Sequence, residues 1–302
     1  MSGMSERLDD SVVAPRQRAG NWTRAWRSMV RSKVALISVV IILLLVAVAL
    51  FGEVFALHDP DQQHLRSRFL PPAFAGGELQ FPLGTDGVGR DILSRLVAGA
   101  RISLFVGISS VFLGGLLGVT LGIIAGYFGG WTDVAIMRLV DLQMAFPTMF
   151  IGLFAMALLG TGLTELIIVI AIVQWAYYAR VARAEALRIK EMEYFQAARA
   201  LGVRTGRIML RHVLPNAIGP VLVVASFSLS TAIFYESALS FFGVGVPPNI
   251  PTWGNMLADA RDVLLLTMWY PVFPGMAITV TVLAFNLLGD WLRDFLDVTL
   301  DD

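Results

Sequence analysis

The sequence predicts an all-α integral membrane protein with six transmembrane helices and both termini on the cytoplasmic side. Three observations predict it. Of 302 residues, 56% are hydrophobic and only 15% are charged, against about 25% charged in soluble domains; the mean hydropathy is +0.70. Uncharged runs near the length of a bilayer crossing, about 20 residues, recur along the chain. Lysine and arginine are unevenly distributed between the segments that separate those runs.

The runs cover residues 34–52, 102–131, 142–164, 166–179, 213–235 and 263–289. The fourth has only 14 residues between Glu165 and Arg180. It is counted as a span because Arg180 and Arg183 can snorkel to the interface; a re-entrant segment is the other reading. With the N-terminus inside, the inward segments hold 17 of the 23 basic residues and the outward segments hold six. That bias places both ends in the cytoplasm.

Residues 1–33 form a basic, polar tail. Trp22 and Trp26, four apart, fit a short amphipathic helix on the inner surface, and a disordered leader is the alternative. Residues 34–57 form an anchor helix with no small-x-small cleavage site after it. Residues 58–101 form a periplasmic loop containing Pro60, Pro71, Pro72 and Pro82. Its last part, with Ile92, Leu93, Leu96 and Val97, reads as an interfacial helix for which Asp86 is the expected N-cap. Residues 102–293 form a compact core, and residues 294–302 a C-terminal tail.

Within the core, Gly114, Gly118, Gly122 and Gly126 make successive GxxxG pairs, which let membrane helices approach closely. Internal packing and a subunit interface both use such faces. Pro220, Pro271 and Pro274 are expected to bend the last two spans.

Several chemistries are excluded. The chain has no cysteine, hence no disulfide, thiolate metal site or cysteine nucleophile. There is no GxxxxGK[ST] loop for nucleotide phosphates and no GxSxG elbow. His58, His64 and His212 form no zinc pattern. The net charge is zero, so bulk charge calls for no nucleic-acid partner. Glu165, Glu236 and Asp290 lie at the ends of the apolar runs, where interfacial solvation or pairing accounts for them. Glu236 is the single weak candidate for contact with a solute amine.

The informative interruption is the stretch QAARALGVRTGRIMLRHVLPN, residues 196–216, inside a basic region that extends from Arg180 to His212. Residues 185–201 carry a helical pattern that Gly202 would end. Thr205 is the expected cap of a short second helix over 206–213, and Pro215 fits the first turn of span five. Ile208, Met209 and Val213 put an apolar stripe on the short helix, which predicts a groove in a partner. A basic loop on lipid headgroups is the alternative.

The segment resembles the cytoplasmic signature of permease subunits of binding-protein-dependent ABC importers, in which Glu-Ala-Ala precedes a spaced Gly and Leu-Pro. Ala197, Ala198, Gly202, Leu214 and Pro215 match; Gln196 replaces the glutamate and His212 an isoleucine. PLGTDGVGRDILSRLVAGARISL (82–104), AGYFGGWTD (125–133), ALSFFGVGVPP (238–248), TWGNML (252–257) and FNLLGDWLRDFLD (285–297) resemble the dipeptide, oligopeptide and nickel branch, specifically its second permease. The resemblance implies the type I importer fold in the bacterial inner membrane. It implies a second permease, two cytoplasmic ATPases that hold ATP and magnesium, and a periplasmic binding protein. It also implies that residues 183–215 dock on an ATPase, that Arg204, Arg207 and Arg211 meet its acids, and that this chain is itself no enzyme. Peptide is the expected solute and nickel the alternative. On the residues alone, a solitary channel or carrier and an anchoring protein also remain.

Overall fold

The computed structural model describes residue 26, residues 28–265 and residues 267–300. Trp22 and most of the expected tail helix lie outside the described residues. The fold is all-α. Helix α1, Lys33–Phe55, starts at Ser32, whose hydroxyl accepts from the Ala35 amide. It is followed by α2, Ile92–Phe128; α3, Gly130–Met144; α4, Thr148–Leu159; and α5, Leu163–Lys190. Then come α6, Glu193–Ala200; α7, Thr205–Ile208; α8, Leu214–Phe241; α9, Trp253–Arg261; and α10, Trp269–Leu300. A π turn, Met209–Val213, fuses α7 to α8.

Among the described residues, five helices are long and apolar enough to cross a membrane, six if the bent pair α3 and α4 is one span. Span three thus differs from the single helix expected over 142–164. The chain bends by 92° between α3 and α4, where Phe146 precedes Pro147. Proline disfavours helical backbone in the residue before it and supplies no amide to the helix. Span four is longer than its uncharged run: α5 continues through Arg180 to Lys190 as one helix of 28 residues. At the C-terminus the last helix runs on to Leu300, through most of the segment read as a tail.

The N-cap of α2 is Asp91 rather than Asp86. The Asp91 carboxylate accepts from the Ser94 amide at 3.0 Å and the Ser94 hydroxyl at 2.6 Å. Asp86 instead closes the preceding turn, accepting from the Val88 and Arg90 amides. Both aspartates have the short acceptor that a cap needs; the helix begins at the later one.

The longest interface joins α2 to α5. Gly114, Gly118, Gly122 and Gly126 face Ala171, Trp175, Ala179 and the Arg183–Ala186 turn. A Cβ on Gly114 would lie 2.9 Å from the Ala171 carbonyl oxygen, and one on Gly126 would lie 2.7 Å from the Ala186 Cβ. At Gly118 and Gly122 the facing backbone is closer still. The four-residue period puts all four glycines on one helical face, so the two backbones meet over three turns. In lipid, where apolar burial drives little association between helices, such contact is what holds them. The GxxxG series therefore packs inside the chain.

Two polar ties hold α3 against α5, and a third, solvent-open ion pair lies beside them. Arg183 pairs with Asp133. The Gln143 amide donates to the Ile172 and Val173 carbonyls and accepts from the Trp175 indole. Arg180 pairs with Asp141 at 2.7 Å.

A methyl group at Gly118 should separate the backbones, whereas one at Gly275, with no atom within 4 Å of its Cβ position, meets open space. Gly118→Ala should cost about 1–3 kcal/mol. Gly275→Ala should stay within about 0.5 kcal/mol of wild type. Unfolding in mixed micelles, followed by circular dichroism, compares the two.

Candidate functional site

Three features stand out: an exposed segment at one end of the bundle, a buried polar cluster at the other, and a cavity between them.

The exposed segment begins where α5 stops. Lys190 donates to the carbonyls of Gly126 and Tyr127 at 3.2 and 3.0 Å, satisfying the open C-terminal end of α2. The chain turns at Met192, and Phe195 buries against Tyr127, ring centroids 6.1 Å apart. This tertiary anchoring divides the helix expected over 185–201. Helix α6 ends at Ala200 with Leu201 as its C-cap, and Gly202 follows with φ +73°. That left-handed conformation suits glycine, and it lets the Gly202 amide reach the Arg199 carbonyl. The next helix starts at Arg204 without a side-chain cap. Thr205, the expected cap, has its hydroxyl 3.3 Å from the Tyr127 hydroxyl.

The apolar stripe points inward. Ile208 and Val213 are buried, packed with Ile123, Ala182, Ala186, Ile189 and Phe195, and Met209 and Leu214 lie against them. The stripe therefore fixes the segment to its own bundle, and it cannot fill a partner's groove as expected. Nor does 206–213 form a separate helix, because the π turn makes it the first turns of span five. The outward face holds Gln196, Ala197, Gly202, Arg204, Arg207, Arg211 and Pro215. It also presents Leu201, 84% exposed, and Leu210, 69% exposed, which the sequence reading missed. Two positions at 100° each turn Leu210 away from Ile208; periodicity marked the stripe but not which face the bundle covers. Ala198 lies within α6, and His212 is half-buried beside the Tyr194 ring.

At the opposite end, Glu236 is fully buried. It accepts from the hydroxyls of Ser103, Ser237 and Ser240, with Thr252 as a further partner. The carboxylate thus ties α2, α8 and the start of α9 together. It is enclosed, so it is neither solvated at an interface nor open to a solute. Nearby, Asp86, Arg90, Arg95 and Asp259 form a charge cluster. Arg90 bonds to Asp86 at 2.6 Å and to Asp259 at 2.9 Å. Arg95, fully buried, lies 3.7 Å from Asp86 and 3.6 Å from Asp259. Burial pushes the Asp259 carboxyl above the usual range, against the pull of Arg95 and Arg90.

Between the two ends, α3, α5 and α8 line a half-open cavity of about 510 Å3. Gln174, Tyr177, Arg180, Ser228, Thr231 and Tyr235 supply its polar lining. A second cavity of about 470 Å3 shares Val181, Val224 and Phe227 with it and reaches Arg188, Asn216 and Arg293. Together they mark a track along one face of α5 and α8 toward the end that bears the exposed segment. The neutral polar residues carry no mark in a reading based on charge, so the sequence did not single them out.

Residues 118–301 match the family described as binding-protein-dependent transport system inner membrane component. Residues 20–72 match the N-terminal transmembrane domain of oligopeptide transport permease C. The chain is 42% identical to the di/tripeptide transport system permease protein DppC of Pseudomonas aeruginosa, over 91% of both chains. It is 38% identical to the glutathione transport system permease protein GsiD of Pectobacterium atrosepticum, over 97% of this chain and 94% of that protein. It is 37% identical to the oligopeptide transport system permease protein OppC of Bacillus subtilis, over 92% and 90%. Among solved structures, the inward-facing methionine ABC transporter MetNI shares the fold with a TM-score of 0.55 at 18% identity, over 66% of this chain and 95% of that one.

The charge cluster has a testable weight. Asp86→Asn keeps an oxygen for the turn amides but removes the charge facing Arg95. Breaking one side of a buried pair costs about 3–5 kcal/mol. Asp262→Asn, at a side chain 76% exposed, should change stability by less than about 0.5 kcal/mol. Thermal unfolding in detergent measures both.

Proposed function

The chain belongs to the family of binding-protein-dependent transport system inner membrane components, the permeases of ABC importers, and from that premise we propose that it is the second permease of an ATP-driven importer of short peptides. It sits in the bacterial inner membrane with both termini in the cytoplasm and pairs with a second permease. A periplasmic binding protein delivers the peptide, and two ATPase subunits on the cytoplasmic side bind and hydrolyse the ATP. This chain contributes the path and the docking surface and performs no hydrolysis itself.

The observation that carries the docking role is the exposed face around Gly202. Leu201 and Leu210 stand out from the bundle among Arg199, Arg204, Arg207 and Arg211. An apolar side chain inside a rim of charge suits a pocket in an acidic partner surface. The segment can transmit force because Lys190, Tyr127 and Phe195 fasten it to the α2 and α5 pair. Coupling requires that the ATPases hold this face differently in their two states, since a partner that binds both states equally shifts neither. The pair then turns as a body and opens the track to one side or the other.

Peptide as the solute is favoured by the relatives, whose names give di/tripeptide, oligopeptide and glutathione. These share an amide backbone and free carboxylates.

The chain has no cysteine of its own, so Leu201→Cys introduces a unique site for a label. In the assembled importer that variant should crosslink to an ATPase subunit. Gly202→Val, forced into a left-handed backbone at a cost of about 1–3 kcal/mol, should lower the peptide carried per ATP hydrolysed while the chain still inserts. A label on the Leu201→Cys variant that reaches only lipid, together with normal coupling in Gly202→Val, would rule out the docking role.

A further inference from the structure

The cavity between α3, α5 and α8 has an asymmetric lining. On one side stands Gln174, 2% exposed, whose amide nitrogen donates to the Ser228 carbonyl at 3.0 Å. That bond fixes the orientation of the amide and leaves its oxygen, buried, without a donor. Such an acceptor has a free-energy demand for an N–H partner. Thr231 and Tyr235 line the same cavity.

Arg180 stands at the other side. Its pair with Asp141 is short, at 2.7 Å, but the two side chains are 53% and 55% exposed. An ion pair that open to solvent is weak, so Arg180 can exchange one carboxylate for another. Its planar fork suits a carboxylate held by two N–H groups. Farther along the track the lining adds Arg188 and Arg293. Positive charge thus lies toward the end that bears the docking segment, and neutral polar groups lie away from it.

The spacing matches a short chain. Gln174 and Arg180 are six residues apart on one helix, a rise of about 9 Å. Two to three extended residues, at about 3.3–3.6 Å each, span that length. The cavity, about 510 Å3, lies within the usual range for small-ligand sites.

We propose that this cavity is a transit site for a di- or tripeptide, which puts its C-terminal carboxylate on Arg180 in place of Asp141 and an N–H on the Gln174 oxygen. The inference rests on the peptide-importer reading and assigns that reading its contacts. Asp141 is the resting counter-ion of Arg180 and does not touch the peptide. The sequence of events is an exchange of ion partners, with no bond made or broken.

The test uses the complete importer in proteoliposomes, with its binding protein saturating and radiolabelled Ala-Ala-Ala as the probe. Arg180→Gln should lower the uptake rate at least about tenfold, equivalent to about 1.4 kcal/mol, and Arg180→Lys should restore part of it. Asp141→Asn removes the competitor and should leave uptake within about threefold of wild type, less than about 0.7 kcal/mol. A merely structural tie between α3 and α5 would make Arg180→Gln and Asp141→Asn fall together, which would overturn the proposal. Wild-type uptake in Arg180→Gln would overturn it as well. A wild-type importer that hydrolyses ATP but carries no Ala-Ala-Ala would reject the peptide reading itself, a result that is distinguishable before any variant is compared.

Discussion

Backbone contact between α2 and α5 is the constraint on which the other elements depend. Four glycines at a four-residue period remove the side chains from one face of α2, and the α5 backbone fills the space. Among the described elements, no other pair of helices shares so long an interface as these, of 37 and 28 residues. In a bilayer, dispersion contact at this range replaces the apolar driving force that holds soluble cores. The pair is stiff because neither helix can slide without driving a carbonyl into a Cα.

Both features proposed to act in transport are built on that pair. At one end, Lys190 closes the free carbonyls of α2 from the last residue of α5. The segment proposed to dock hangs from this corner by Phe195, Ile208 and Val213. On the other side of α5, Gln174, Tyr177 and Arg180 line the cavity. A force on Leu201 would reach the cavity wall through α6, its Phe195 anchor and then α5. The Glu236 hydroxyl set and the Asp86, Arg90, Arg95 and Asp259 cluster anchor the far end of the same body to α8 and α9. Buried polar sets are costly unless satisfied; the Glu236 carboxyl is hydrogen-bonded, whereas Arg95 meets Asp86 and Asp259 through charge at 3.7 and 3.6 Å without a hydrogen bond.

Much of the fold was legible because the bilayer leaves a strong signature: each span is a run that excludes charge. The same rule misplaced the boundaries. Arg180 ended a run but not its helix, since a long cationic side chain can leave the membrane while its backbone stays helical. Glu236 likewise ended a run, yet α8 continues to Phe241, because neighbouring hydroxyls satisfy the carboxylate in the interior. Pro147 was visible in the sequence but lay inside an uncharged run, and only the structure shows that it bends the span. The segment proposed to dock on an ATPase stands out in the sequence by its spacing from Gly202 to Pro215. Its outward face does not, because periodicity gives a stripe without saying whether the chain or a partner covers it. Asp91 and Asp86 were equivalent as caps on composition, and the tertiary path of the loop chose between them. The cavity carried no signal at all in one sequence, since its wall is assembled from α3, α5 and α8.

The central claim, that α2, α5 and the docking segment move as one body, is tested most directly by electron–electron distance measurement on the assembled importer. Spin labels at Leu117 and Ile172, exposed on α2 and α5, report the pair; labels at Leu117 and Leu201 report the docking segment against it. Between the nucleotide-free and ATP-bound states, both distances should hold within the width of their distributions, while Ile172 moves relative to the second permease. A change in the Leu117–Leu201 distance as large as the movement between the two permeases would contradict the account.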